Sequence, residues 1–331
     1  MANIKAVAER AGVSPATVSR VLAGSTRVNP EYRQRVLAAA AELDFRPNRL
    51  ARNLRRQTTE TIGVVVSDVE NPHFTRMVRI VEEAAFGRGF RVLLSNTDET
   101  AEKQRLYLDL LASERVRGVL LVPTDPAAPE ISRLLDLGIP VVAFDRVVAD
   151  PRADAVIVDN AECSRRATEH LIRLGHRQIG FIGGRHDIQT GAERSAGYAA
   201  AMNAVGLTPR AVDGDFRFEQ GRQAAEQLLA SNSDLTALVV ANNLMTVGAL
   251  QAVNDHGLRV PEDLAVVGMD DPYWASLIRP PLTTMVQPVH RMAEAAVRLL
   301  FERIDASREQ ARSMVFDCEL RIRASCGAAS V

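Results

Sequence analysis

Apolar positions in the first part of the chain recur with the 3.6-residue period of a helix. Ile4, Val7, Ala8 and Ala11 fall at i, i+3, i+4 and i+7, which aligns them on one face. Gly12 ends that helix, Ser14 is placed to cap a second, and Pro15 suits its first turn, where a missing N–H costs nothing. Val18, Val21 and Leu22 give the second helix an inner face and leave Pro15, Ala16, Thr17, Ser19 and Arg20 pointing outward. Asn29 and Pro30 repeat the cap-then-proline start, and Val36, Leu37, Ala40 and Leu43 give a third helix an apolar face that can cover the first two. From residue 61 the pattern changes to short continuous apolar runs: TIGVVVS (61–67), FRVLLSN (90–96), VRGVLLV (116–122), IPVVAF (139–144), RQIGFIGG (177–184), LTALVVA (235–241) and LAVVGM (264–269). Such runs, separated by helical stretches, predict strands buried on both faces of parallel sheets. A body of about 270 residues is long for one such sheet, and two lobes are expected.

Two short helices joined by a tight turn, the second with a short-chained polar outer face, have the form that enters a DNA major groove. A plain helical hairpin is the competing reading, and charge weighs against it. Residues 1–60 carry eleven basic and five acidic side chains, net +6, while residues 61–331 carry 29 basic and 36 acidic, net −7. A small module that neutralises phosphates, attached to a body that does not, accounts for that asymmetry. The run FRPNRLARNLRRQTTE (45–60) extends the basic character. Asn48 can cap a helix of about two turns with Leu50, Ala51 and Leu54 on one side and four arginines around it, marginal alone in water. Either it folds against phosphates and Leu54 wedges between minor-groove base pairs, or it is a flexible basic linker.

The runs AGVSPATVSRVL (11–22) and RPNRLARNLR (46–55), followed in order by the rest of the chain, resemble the lactose-repressor (LacI/GalR) family of bacterial transcription regulators. The resemblance spans essentially all 331 residues. It implies an α/β protein: an all-α helix-turn-helix head at 1–46, a hinge helix and linker at 47–60, and an effector-binding and dimerisation body at 61–331. That body would resemble a periplasmic binding protein, with two doubly wound parallel-sheet lobes, one near 61–159 plus 288–310 and the other near 160–287 plus 311–327. It also implies a homodimer, or a dimer of dimers, on a near-palindromic operator in double-stranded DNA. The family's base-contacting positions fall here on Pro15, Ala16 and Arg20, and its wedge on Leu54. Pro15 and Ala16 offer no side-chain hydrogen bonds, so base-specific bonding would fall largely to Arg20, supported by Ser14, Thr17, Ser19 and Asn48 at the interface.

In open α/β sheets, ligands bind beyond the carboxyl ends of the strands. The residues there are polar: Asn71, His73 and Phe74 after the first run, Asp145 and Arg146 after the fourth, Phe216 after a strand near 211–214, Asn242 and Asn243 after LTALVVA, Asp270 and Asp271 after LAVVGM, and Gln287 after TTMV. Arg194 lies on the helix after GGRHD. These groups offer directional donors and acceptors for hydroxyls, and aromatic rings can pack on the C–H face of a sugar. Taken singly, Asp145–Arg146 could be a surface pair, Asn242 and Asn243 helix caps, and Asp270–Asp271 a turn. The resemblance places Asn71, Phe74, Asp145, Arg146, Arg194, Phe216, Asn242, Asp270 and Gln287 on ligand-contacting positions, a set similar to that of ribose binders. His73 stands where an aromatic ring is expected, and Asn243 where Asp is commoner, so a nucleoside or a sugar acid also remains open. The resemblance favours a sugar that induces, with co-repression as the alternative.

There is no apolar run near eighteen residues and no basic leader, so a cytoplasmic protein without a membrane partner is expected. Cys163, Cys318 and Cys326 lack CxxC or Cys/His ligand spacing, so the expectation is ordinary packed or surface thiols and no metal. Asp145 and Asp270 could be imagined as a glycosidase pair. No nucleophile elbow, HExxH, phosphate loop or GxGxxG accompanies them, and neither an enzyme nor a cofactor is expected. An exported sugar receptor would need a leader and would have no use for a basic head.

Overall fold

The computed structural model describes residues 3–22, 28–45 and 59–328. The chain divides into two compact units, residues 1–59 and 60–331. In the first, helices α1 (Ile4–Ala11), α2 (Pro15–Leu22) and α3 (Pro30–Glu42) enclose a small core of Val7, Ala8, Ala11, Val18, Val21, Val36, Ala39 and Ala40. The boundaries have local causes. The Asn3 side chain accepts from the Lys5 and Ala6 amides at the start of α1, and Gly12 ends it at φ +62°, a conformation that suits glycine. Ser14 Oγ accepts the Thr17 amide at 3.2 Å, and Asn29 Oδ1 accepts the Glu31 amide at 2.9 Å. One expected core residue differs: Leu37 is 51% exposed, and Ala39 takes the inward place. On a 100° step, residues 36, 39, 40 and 43 share a stripe that residue 37 only borders.

The body is built on two six-stranded sheets. The first has the order β11-β5-β4-β3-β1-β2, from β1 (Thr61–Val66), β2 (Arg91–Asn96), β3 (Val119–Leu121), β4 (Val141–Phe144), β5 (Asp154–Val158) and β11 (Ser313–Phe316). The second has the order β12-β10-β9-β8-β6-β7, from β6 (Ile179–Gly183), β7 (Arg210–Asp213), β8 (Ala237–Val240), β9 (Ala265–Met269), β10 (Thr283–Val286) and β12 (Glu319–Arg321). All pairings are parallel except that of β12 with β10. Both sheets are doubly wound, each reversing direction beside its first strand. Central strands such as β1, β6 and β9 are buried almost throughout, which explains their unbroken apolar sequences. The edge strands β2 and β7 are exposed in part.

Helices α4 (Pro72–Gly87) and α11 (Val289–Ile304) pack together against the first sheet, and α5 (Ala101–Ser113) and α6 (Pro129–Asp136) enclose a separate cluster with Leu108, Leu111, Ile131 and Leu134 at its heart. In the second lobe α7 (Asn160–Arg173) pairs with α8 (Gln189–Ala204), and α9 (Phe218–Ser231) with α10 (Asn243–Asp255). The α7–α8 crossing is tight because Gly197 lies against the Ala161 carbonyl. Tyr198 anchors α8 by donating to the Ile179 carbonyl at 2.7 Å and stacking on Phe181 with ring centroids 4.8 Å apart. Among the described residues no helix is long and apolar enough to cross a membrane.

The chain passes between the sheets three times: from β5 into α7, from β10 through Gln287 and Pro288 into α11, and from β11 through Asp317 and Cys318 into β12. Residues 313–316, expected in the second lobe with the tail, pair instead with β5 of the first. Two cysteines depart from expectation as well. Cys163 and Cys318 form a disulfide, and only Cys326 is a free thiol, buried beside His170. The partners lie 155 residues apart, and it is the juxtaposition of crossovers that brings their Cα atoms to 5.8 Å.

Candidate functional site

Ser14, just before α2, and Pro15, Ala16 and Arg20 on it stand exposed, while Thr17 and Ser19 are half-buried. Ser14 and Thr17 hydroxyls lie 3.0 Å apart and hold the turn that precedes the exposed face. The two remaining interface candidates, Asn48 and Leu54, lie outside the described residues.

In the body, all ten candidate residues line one cleft between the carboxyl ends of the two sheets: Asn71, His73, Phe74, Asp145, Arg146, Arg194, Phe216, Asn242, Asp270 and Gln287. The strand ends deliver them there. Asn71 caps α4, its Oδ1 accepting the His73 amide at 2.9 Å, so His73 and Phe74 enter the cleft on the first turn. Asn242 caps α10 through the Met245 amide at 2.7 Å and donates to the Phe216 carbonyl at 3.0 Å, which fixes the Phe216 backbone beneath the cleft. Arg194, buried on α8, donates from Nε to Asn160 Oδ1 at 2.8 Å and from Nη1 to the Ala241 carbonyl at 2.7 Å. Gln287, on the second crossover, donates to Asp270 Oδ1 at 2.7 Å. His73 rests edge-on against Phe74, with Nδ1 3.7 Å from Asp270 Oδ1. Asp145, Arg146, Asn242, Asn243 and Asp270 are all buried, so none is a surface pair or a solvated turn, while Asn242 is both a helix cap and a cleft residue.

Four further residues line the cleft: Asp68, at the end of the first strand run, and Glu99, Thr190 and Arg217, which the sequence did not mark. Arg146 is forked onto Glu99 at 2.8 and 2.5 Å, and this partner outweighs the burial that would otherwise lower its pKa, raising it above the usual guanidinium value. Arg217, from the second lobe, donates to Asp68 Oδ2 at 3.2 Å and to Asp98 Oδ1 at 3.0 Å in the first. Burial pushes the Asp68 carboxyl above its ordinary pKa, while hydrogen bonds from Lys103 and Arg217 hold Asp98 below its own. Asn243 Nδ2 also spans the lobes, donating to Asn71 Oδ1 at 2.9 Å and Asp270 Oδ2 at 3.0 Å. The backbone carried a signal for some of these. Asp98, Glu99, Asp145, Asp215, Phe216 and Asp270 all have φ between 50° and 69°, strained for side chains with a Cβ, and all sit at or beside the cleft.

The space these side chains enclose is about 30 Å³, room for about two waters. Its walls are unevenly satisfied. His73 Nε2, Arg146 Nε and Gln287 Oε1 are buried and have no hydrogen-bond partner among the described residues. Arg146 Nε is 3.6 Å from Asp145 Oδ2, too long for a hydrogen bond. Among the described residues no group of His, Cys, Asp and Glu could hold a metal ion.

The chain matches two family profiles, neither of an enzyme family: bacterial regulatory proteins, lacI family, over residues 3–48, and a periplasmic binding protein-like domain over residues 168–326. It is 37% identical over 319 residues to the HTH-type transcriptional repressor PurR of Erwinia tasmaniensis, covering 95% of this chain and 94% of that protein. A complex of the transcriptional regulator CelR with cellobiose superposes with TM-score 0.74 at 34% identity, over 98% of this chain and 100% of the other. The lac repressor dimer bound to operator and the anti-inducer ONPF superposes with TM-score 0.86 at 28% identity, over 99% of each chain. The chain belongs to the lacI family of bacterial regulatory proteins and is a DNA-binding transcriptional repressor with a periplasmic-binding-protein-like ligand domain.

Proposed function

We propose that this repressor binds a near-palindromic operator as a homodimer and releases it when a small uncharged sugar, of pentose size, enters the cleft. The observation that carries the ligand reading is the set of three buried polar atoms without partners on cleft-lining residues His73, Arg146 and Gln287. Buried polar atoms are nearly always paired, and unpaired ones along a cleft match a ligand of several hydroxyls, each able to donate and accept. A pentose exceeds the present space of about 30 Å³, so the lobes part to admit it. Charge favours a neutral ligand. Arg146 and Arg217 are already engaged by carboxylates, and Asp68, Glu99, Asp145 and Asp270 outnumber the arginines, so an added anion would meet net repulsion. Phe74 and Phe216 supply flat apolar faces for sugar C–H groups.

On the DNA side, α2 with its exposed Arg20 enters the major groove, and Leu54 wedges the minor groove. A protein with this role works in the cytoplasm.

Two measurements test this. A thermal-shift screen of pentoses, hexoses, sugar acids and nucleosides should find stabilisation by a neutral sugar, because binding to the native body raises its stability by mass action. Stabilisation by a sugar acid alone would overturn the charge argument. In gel shifts with promoter DNA, Arg20→Ala should erode discrimination between operator and random duplex more than overall affinity. Arg194→Ala should still bind operator and no longer respond to the sugar, and a fully responsive variant would place the effector elsewhere.

A further inference from the structure

We propose that the Cys163–Cys318 bond is a redox-controlled clasp on the hinge between the two lobes. Cys163 lies in the first turns of α7, just past the first crossover, and Cys318 lies within the third. Closed, the bond fastens the third crossover to the second lobe and leaves Asp317 as the only residue between β11 and the tether. Open, the whole stretch from β11 to β12 can twist when the lobes move. Resting on the function proposed above, the protein meets the reducing surroundings of chromosomal DNA, where a disulfide is transient and regulatory rather than a permanent staple.

The surroundings suit repeated making and breaking. Both cysteines are buried, but Cys318 also lines an open groove of about 990 Å³ along the crossover face, with Arg291, Asp317 and Glu319. That groove brings a small reagent to the Cys318 side of the bond. Arg166 Nη1 donates to the Cys318 carbonyl at 2.7 Å, a single breakable contact that returns the loosened stretch to α7 and brings the two thiols back within reach of each other. The third cysteine takes no part, because Cys326 is held within the second lobe by Thr283 and His170.

The chemistry balances with a dithiol as reductant and a peroxide as oxidant. One thiolate of the dithiol attacks Cys318 Sγ, breaking the S–S bond and releasing Cys163 as a thiolate that takes a proton. The second reductant thiol then closes its own disulfide and frees Cys318. In reverse, the Cys318 thiolate attacks a peroxide oxygen to give a sulfenic acid and water. Cys163 then displaces a second water as the disulfide forms, two electrons passing from the thiols to the peroxide.

The test uses the full-length protein. Reduction with a phosphine should speed amide hydrogen exchange over residues 158–163 and 316–320 by about tenfold, with α9 and α10 unchanged, and hydrogen peroxide should restore the slow pattern. Cys318→Ser should show the fast pattern throughout and ignore both reagents, and reduction of the unsubstituted chain gives the same comparison without any variant. Unchanged exchange after full reduction would make the bond a passive staple and overturn the proposal. A second arm quenches cells in acid and alkylates free thiols. Cys163 and Cys318 should both be alkylated in unstressed cells and both protected after peroxide, and a bond that is always present or always absent also overturns it. Because the exchange arm involves neither DNA nor sugar, its outcome is separable from failure of the gel shifts.

Discussion

Arg217→Ala should shift the body toward open lobes. Arg217 bridges the lobes by donating to Asp68 and Asp98, and its removal leaves Asp68 a buried carboxylate whose remaining hydrogen bond comes from the Glu70 amide. Hydrogen bonds to charged groups are worth about 1.5–3 kcal/mol when buried. Asp68 is nearly enclosed, so about 1.5 kcal/mol applies to it, while Asp98 is 41% exposed and keeps Lys103, which reduces its share to about 0.5 kcal/mol. The total of about 2 kcal/mol is about a thirtyfold change in the ratio of closed to open lobes. Asn243–Asn71 and Gln189–Val147 still cross the cleft, so the variant should stay folded. Electron spin resonance distances between labels at the exposed Glu102 and Ala230, one in each lobe, should show a single population in the parent protein and a second in the variant. Arg217→Lys should fall between them, since one ammonium cannot fork onto both carboxylates. Identical distance distributions for all three proteins would refute the reasoning.

Gly197→Ala should destabilise the second lobe, because the added Cβ would collide with the Ala161 backbone carbonyl and force α7 and α8 apart. A cost of about 2 kcal/mol, or about 5 °C in Tm by calorimetry, is expected, and an unchanged Tm would mean the crossing is looser than it looks. Asp271 receives Arg323 at 2.7 and 3.0 Å, Thr284 at 3.0 Å and Arg321, tying the tail to the loop after β9. Burial pushes its pKa up, but these partners prevail and hold it below the ordinary 3.8. With the folded value depressed, its contribution is full above pH 3.8 and lost as pH falls through the folded value. The Tm gap between parent and Asp271→Asn should therefore be constant near neutrality and close in acid, and a gap that persists there would assign the effect to something other than charge.

Periodicity and capping residues revealed the head because each of its signals is local, and the same holds for strands buried on both faces. What escaped depends on distant partners. β5 opens with Asp154, which reads as a loop residue until Arg303 and Arg308 meet it from about 150 residues away and make its burial tolerable. The short Ser313–Phe316 run has no pattern that assigns it to one lobe, and only pairing with β5 does so. The cleft was legible where a residue follows a strand end, since position alone places Asn71, Asp145 or Asp270 there. Glu99 and Arg217 also follow strand ends, after β2 and β7, but a charge there reads as a solvated loop residue until its partners Arg146 and Asp68 on other loops are known. Cys163 and Cys318 show the same limit, for spacing of 155 residues carries no hint that two crossovers lie side by side.

The unpaired cleft atoms and the Arg217 bridge together bear on how the proposed ligand would act as a switch. A buried polar atom without a partner is costly, and His73, Arg146 and Gln287 each present one that no protein group pairs. The Arg217 bridge, worth about 2 kcal/mol, acts with the Asn243–Asn71 and Gln189–Val147 bonds in favour of the closed arrangement, which prevails without ligand. A ligand whose hydroxyls pair these atoms, in a cleft widened beyond its present space of about 30 Å³, binds one arrangement better than the other, and this difference in affinity is what moves the equilibrium. The 1–3 kcal/mol typical of coupling between sites is then within reach of two or three hydroxyl contacts. The same arrangement sets selectivity, since a ligand lacking one hydroxyl restores one unpaired atom and loses that atom's share of the coupling.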